Sequence, residues 1–271
     1  MNARDYRDFQ TTTPKYPTEA SQKNRLPYHK GMKPVVGLWQ SMSWNGWALE
    51  SRWCIKKRMA KQFDFSAIDD FERHIDLSIP NFSTLDNIFV NVAKEYAQEE
   101  SSLVDLGCST GRFLSKIPKI SGCQYIGIDS IDMKDRRKDF SFIKGDCETE
   151  LKDIDNISVI SSMFFLQFLG SRKRARILNQ IGERIESGAI FLIAEKVYLN
   201  DSRLQHLIHK LHIQEKRKSF SDEEILEKEL QLSVSMFCKK EDELNKELQK
   251  LGNVTKVWQS YNFLGYVINR Y

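Results

Sequence analysis

"SSLVDLGCSTGRFLSKI", residues 101–117, reads as a short apolar strand, a loop of small residues and the first turns of a helix. A strand that runs through a glycine loop into a helix is the usual opening unit of an open α/β sheet. In such sheets the ligand lies beyond the carboxyl ends of the strands, beside this unit. The loop Gly107-Cys108-Ser109-Thr110-Gly111 falls there. Gly107 lets the backbone turn sharply, the small residues after it let a ligand approach main-chain N–H groups, and Gly111 lets the helix begin close by. A P-loop needs GxxxxGK followed by Ser or Thr, and the stretch lacks it. A dinucleotide fingerprint needs glycines at 109 and 112, where Ser109 and Arg112 stand. A bulky arginine at the third glycine position obstructs close helix–strand packing, which disfavours NAD and FAD.

The surrounding pattern supports the sheet. Strands are predicted at 102–106, 124–128, 140–143, 157–161 and 189–194, nearly all continuously apolar, as strands buried on both faces are. The helix between the last two, "SRKRARILNQIGERIESG", is predicted to start at Ser171 as N-cap and to end before Gly188. Before the loop, Ser66 with Asp69 and Ser83 with Asp86 have the spacing of capping boxes ahead of two amphipathic helices. Residues 201–251 are charged and helical in pattern, and "NVTKVWQSYNFLGYVINRY" predicts two strands joined by a tight turn. The expected fold class is α/β: a doubly wound, mostly parallel, Rossmann-like sheet. A C-terminal antiparallel hairpin, a helical insertion and an irregular N-terminal extension complete it.

One loop pattern remains: an acidic residue followed by GxGxG-like spacing, here Asp105-x-Gly107-x-Ser109-x-Gly111. It resembles the first motif of the S-adenosylmethionine-dependent methyltransferases. S-adenosylmethionine carries no phosphate, so the loop need not form a phosphate nest. Its ribose diol needs a carboxylate at the end of the second strand, where Asp129 stands, eighteen residues after Gly111. Its adenine amino group needs an acceptor, and Asp146 follows the third strand. Asp105 fits either as a partner of the ligand amine or as a carboxylate orienting the loop.

A narrower resemblance spans residues 63–271. "FDFSAIDDFERHIDLSIPNFSTL", "DLGCSTG", "FFLQFL", "AIFLIAEK" and the closing "VWQSYNF" are similar to the carboxy-S-adenosyl-L-methionine synthases (the CmoA family). The resemblance implies a homodimer with the methyltransferase fold. It implies that S-adenosylmethionine, or its carboxylated form, is held by Phe82, Gly107, Cys108, Ser109, Asp129, Ser130, Asp146 and Cys147. Family enzymes take the carboxyl group from prephenate and serve a wobble-uridine modification of tRNA. Two positions depart from the family. Glu229 stands where an arginine of the helical insertion meets the added carboxylate, and Met163 replaces an asparagine after the fourth strand. Like charges placed together cost binding where water is scarce. Methyl transfer to an unidentified acceptor is therefore the first expectation, and carboxy-S-adenosylmethionine synthesis the second. A non-catalytic protein that keeps the fold and docks a nucleic acid or protein complex is the third.

The two parts of the chain differ in charge. Residues 1–62 are expected to form a basic extension, with four of the five tryptophans (Trp39, Trp44, Trp47, Trp53) and a short helix near Leu49–Ile55. Together with Phe63 they carry +8, against −4 for the remainder, so a nucleic acid or protein partner could dock there. The start lacks a signal peptide's apolar core, and no apolar run has spanning length, so a cytoplasmic protein without membrane contact is expected. The five cysteines are scattered without a CxxC pair, which fits reduced thiols and offers no zinc motif. His206, His209 and His212 recur every three residues, as a solvated or dimer-facing stripe does. Arg172, Lys173, Arg174 and Arg176 open their helix as surface charge or as an anion contact. No catalytic base stands out; Glu195, Tyr198, Tyr261 and Tyr266 are the possibilities.

Overall fold

A computed structural model describes residues 64–270. The basic extension, its tryptophans and its short helix lie outside the described residues. A 3-10 turn at Phe65–Ala67 leads into α1 (Phe71–Ser78), α2 (Phe82–Tyr96), β1 (Ser102–Leu106), α3 (Arg112–Lys116) and β2 (Gln124–Asp129). Next come β3 (Ser141–Lys144), α4 (Cys147–Glu150), β4 (Ile157–Met163), α5 (Ser171–Glu186) and β5 (Ile190–Lys196). The chain closes with α6 (Ser202–Lys216), α7 (Asp222–Ser233), α8 (Glu241–Leu248), β6 (Asn253–Ser260) and β7 (Phe263–Asn269). The seven strands form one sheet in the order β3-β2-β1-β4-β5-β7-β6. β1 to β5 pair in parallel. β7 enters antiparallel beside β5, and β6 pairs antiparallel with β7.

β1 shows why its strands read as continuous apolar runs. Successive side chains point to opposite faces, and helices cover both. Leu103 packs with Phe89 of α2 and Phe113 of α3, whereas Val104 and Leu106 pack with Ile177 and Ile181 of α5. All of these are buried, and each is worth roughly 1.5–3 kcal/mol of transfer free energy.

The local starts differ from the expected capping. Asp64, not Ser66, caps the 3-10 turn, accepting from the Ser66 N–H at 3.0 Å. Asp70 then caps α1 through the Arg73 N–H at 3.0 Å, because its carboxylate sits directly before the first apolar turn. α2 begins after Asn81 in the left-handed region (φ 60°) without a side-chain cap. Asp86 is instead buried against Arg112 Nε (3.0 Å) and Lys116 Nζ (2.5 Å) of α3. α5 starts one residue earlier than predicted: Gly170 is the cap and Ser171 already helical.

Candidate active site

β1 ends at Leu106 and the chain turns through Gly107 (φ +71°), Ser109 (φ 51°) and Gly111 (φ +78°), three left-handed residues in five. The N–H groups of Gly107 and Cys108 donate to the Ile128 carbonyl of β2 at 2.8 and 3.3 Å, holding the loop over the strand ends. Asp129 closes β2 with its carboxylate against this loop. Oδ2 accepts from the Ser109 N–H at 2.9 Å and Oδ1 from the Ile131 N–H at 3.0 Å. Burial raises the Asp129 pKa while these N–H donors oppose the shift. Each oxygen retains a lone pair, the requirement for receiving a ribose diol.

Asp105 lies deeper. Ser161 Oγ of β4 donates to its Oδ1 at 2.6 Å. Burial pushes its carboxyl up to about 7 despite that hydrogen bond, with Asp129 and Asp86 adding to the rise. Burial also pushes the Cys108 thiol far up and that of Cys147 up to about 12, so both stay protonated and non-nucleophilic at neutral pH.

A cavity of about 410 Å³ opens beside this loop, within the size range of small-molecule sites. Phe82, Asp105, Gly107, Cys108, Ser109, Asp129 and Ser130 all line it, so seven of the ten expected residues are brought together. The other three are not in its wall. Gly111 shapes the loop from α3's start, its N–H donating to the Cys108 carbonyl at 2.8 Å. Cys147 is buried, with Sγ 3.7 Å from the Ile128 carbonyl. Asp146 is exposed, caps α4 through the Glu148 N–H (2.9 Å) and pairs with Lys173 Nζ (2.5 Å).

A second part of the cavity wall is cationic. Lys196 at the end of β5, Lys216 at the end of α6 and Lys228 of α7 line it, with Ser78 of α1 and His212 of α6. These residues come from segments far apart in sequence, and no periodicity announces them. His212 departs from the expected exposed stripe: it is 1% exposed, with Nε2 3.1 Å from the Ser78 carbonyl, because α6 packs this face against α1 and β7. His206 is exposed and His209 half-buried. Glu229 is absent from the cavity wall; its carboxylate lies 3.4 Å from Lys216 Nζ and 3.5 Å from His209 Nε2. Met163 does line the cavity.

Two expectations resolve into structural roles. Arg174 is buried and grips Glu195, while Lys173 pairs with Asp146 and Arg176 with Glu148 at 2.5 Å. That consumes most of α5's opening charge. None of Glu195, Tyr198, Tyr261 and Tyr266 lines the cavity. Among the described residues no helix is long and apolar enough to cross a membrane.

Comparison with known proteins follows the same line. Residues 82–232 match the profile of a family described as "Methyltransferase domain". A carboxy-S-adenosyl-L-methionine synthase of Hydrogenovibrio crunogenus is 31% identical over 225 residues, covering 76% of this chain and 88% of that protein. The protein of that name from Colwellia psychrerythraea is 29% identical over 216 residues, covering 74% and 88%. A solved S-adenosylmethionine-dependent methyltransferase of Archaeoglobus fulgidus superposes with a TM-score of 0.48 at 12% identity, over 74% of this chain and 100% of that one. The fold assignment rests on the sheet order, not on that superposition. The chain belongs to the S-adenosylmethionine-dependent methyltransferases, in the family that includes these carboxy-S-adenosyl-L-methionine synthases.

Proposed function

We propose that the protein transfers a methyl group from S-adenosylmethionine to an acceptor that enters the cationic end of the cavity. The observation that supports it is the loop end. Ser109 Oγ is buried without a partner among the described residues. A side chain at Gly107 would collide with Phe165. Asp129 presents two part-filled carboxylate oxygens beside them. These features fit S-adenosylmethionine, which when bound supplies an electrophilic methyl group on sulfur. Of the candidate binding residues, Phe82, Asp105, Gly107, Cys108, Ser109, Asp129 and Ser130 hold it directly, Gly111 and Cys147 support the loop from behind, and Asp146, at the exposed start of α4, is the acceptor for the adenine amino group. The chain contributes alignment, since displacement at the methyl carbon depends on in-line approach.

Asp129→Ala is expected to weaken S-adenosylmethionine binding by at least about tenfold. A hydrogen bond to a charged group contributes about 1.5–3 kcal/mol, and 1.4 kcal/mol is tenfold in affinity. Calorimetric titration of the purified full chain checks this, and unchanged affinity sinks the assignment. Carboxy-S-adenosylmethionine synthesis stays as a second reading because Glu229 lies outside the cavity wall, which removes the like-charge objection at that point. Mass spectrometry of ligand carried through purification separates the two, by a carboxylated sulfonium species or a plain one.

A homodimer belongs to the same proposal. α6 exposes Leu204, Leu207 and Leu211, and the α7 region exposes Leu226, Leu230, Val234 and Phe237. Apolar stripes of this kind mark interfaces. Leu226→Asp combined with Leu230→Asp is expected to weaken self-association at least about thirtyfold, the scale of one interface hot spot. In sedimentation a dimer should become a monomer. A monomeric unaltered protein at micromolar concentration overturns this.

A further inference from the structure

The cationic end of the cavity is an electrostatic problem. Lys196, Lys216 and Lys228 line one cavity with His212, and His74 touches Lys228 from α1. Lys216 is buried and has Glu229 as counter-charge at 3.4 Å. Lys196 has no ion pair among the described residues. Three ammonium groups gathered in one low-dielectric cavity disfavour one another, and the cheapest relief is loss of a proton from one.

The groups facing Lys228 select which one. From α1, Ser78 Oγ lies 2.8 Å from Nζ and His74 Nε2 is in contact. From α6 come Lys216 and His212, from β5 Lys196, and Glu229 lies beside Lys228 on α7 itself. Burial, then Lys216 and Lys196, lower the Lys228 amine to about 7, and similar causes hold His74 near 4 and His212 near 3. Both histidines are therefore neutral and too weakly basic to take a proton at neutral pH. A neutral amine near 7 is matched to accept one.

The carboxylates in the wall are committed. Glu72 binds Arg137 Nη2 at 2.9 Å and Thr110 Oγ1 at 3.0 Å, and Asp86 binds Arg112 and Lys116. Asp129 accepts two loop N–H groups, and Asp105 is bonded to Ser161 beneath the loop.

We propose that Lys228 is the catalytic base of the site, removing the acceptor's proton from the cationic end of the cavity. The inference rests on the methyl-transfer reading. As the acceptor's oxygen, nitrogen or sulfur bonds to the methyl carbon, its proton passes to Lys228 Nζ. The sulfur–methyl bond breaks with its electron pair left on sulfur. Lys228 becomes an ammonium ion and returns the proton to water after product leaves. The acceptor class this favours carries an acidic X–H group, such as a phenol, an enol or a thiol, which an amine of this strength can deprotonate.

Side-chain NMR of isotope-labelled lysine in the full-length protein tests the amine directly, with Lys228→Gln identifying the signal. The expected midpoint is near 7, rising in Lys196→Met; an ordinary midpoint near about 10.4 overturns the proposal. Lys228→Gln and Lys228→Arg should bind S-adenosylmethionine with unchanged affinity in calorimetry. Both should form S-adenosylhomocysteine at least about a hundredfold more slowly on the phenol or thiol that the unaltered enzyme methylates. Both should also lose the pH limb near 7. Unaltered rates, or a limb that persists and thereby passes to Asp105, overturn it. Failure of the unaltered protein to bind S-adenosylmethionine would instead remove the methyl-transfer reading.

Discussion

Arg174→Met is expected to destabilise the protein by about 3–5 kcal/mol at pH 8, the cost of breaking one side of a buried ion pair. Arg174 reaches from α5 to grip Glu195 of β5 in bidentate fashion, at 2.6 and 3.0 Å, and Glu247 of α8 at 2.9 and 2.7 Å. It is 3% exposed and Glu195 2% exposed, so neither can turn to water. Burial would weaken the Arg174 charge, but Glu195 and Glu247 more than offset this and raise its pKa. Burial raises the Glu195 carboxyl, and Arg174 pulls it back only in part. Glu247 keeps a second partner in Lys239 at 3.2 Å; among the described residues Glu195 is ion-paired to Arg174 alone.

The sign of the pH effect follows. Without Arg174 the folded-state pKa of Glu195 rises further above its unfolded value. A raised carboxyl binds more protons folded than unfolded, so stability falls as pH climbs above the ordinary carboxylate range. The deficit should therefore be larger at pH 8 than at pH 5. Urea unfolding at both pH values measures it, and adding Glu195→Met should restore most of the loss. A deficit below about 1 kcal/mol, or no recovery in the double variant, contradicts the account.

Gly107→Ala should cost both fold and ligand. At φ +71° an L-residue is strained by about 1–2 kcal/mol. Its Cβ would lie 2.5 Å from the Phe165 ring and 2.6 Å from Phe165 Cβ, so the side chain cannot simply swing aside. Phe165 lines the cavity and packs on the core, so displacing it deforms the site as well. A stability loss of at least about 2 kcal/mol is expected, with S-adenosylmethionine affinity reduced more than tenfold. Gly170→Ala serves as control: nothing lies within 4 Å of its added Cβ, and its φ is −60°. Equal behaviour of the two variants in unfolding and calorimetry would defeat the steric explanation.

β1, its loop and Asp129 are legible because their information is local: an apolar run, small residues at fixed spacing, and an acid at a strand end. The same locality makes cap positions ambiguous where several acids lie close together, as Asp64, Asp69 and Asp70 do. Asp86 has the spacing of a capping partner, yet the cations of α3 claim it. The cationic end escapes such reading. Lys196, Lys216 and Lys228 meet only because the insertion folds back over β5 and α1, and in sequence nothing local joins the three into one site. His212 differs from His206 only in which side of α6 it occupies.

The cavity's two ends come from separate stretches of chain. Residues 105–130 supply the loop end, and Lys196, His212, Lys216 and Lys228 supply the cationic end. A lineage can therefore alter what enters at one end without disturbing what is held at the other. Glu229 sits on the insertion, paired with Lys216 and outside the cavity wall. A cavity built in this way lets the donor's loop stay fixed while the recipient's surroundings change.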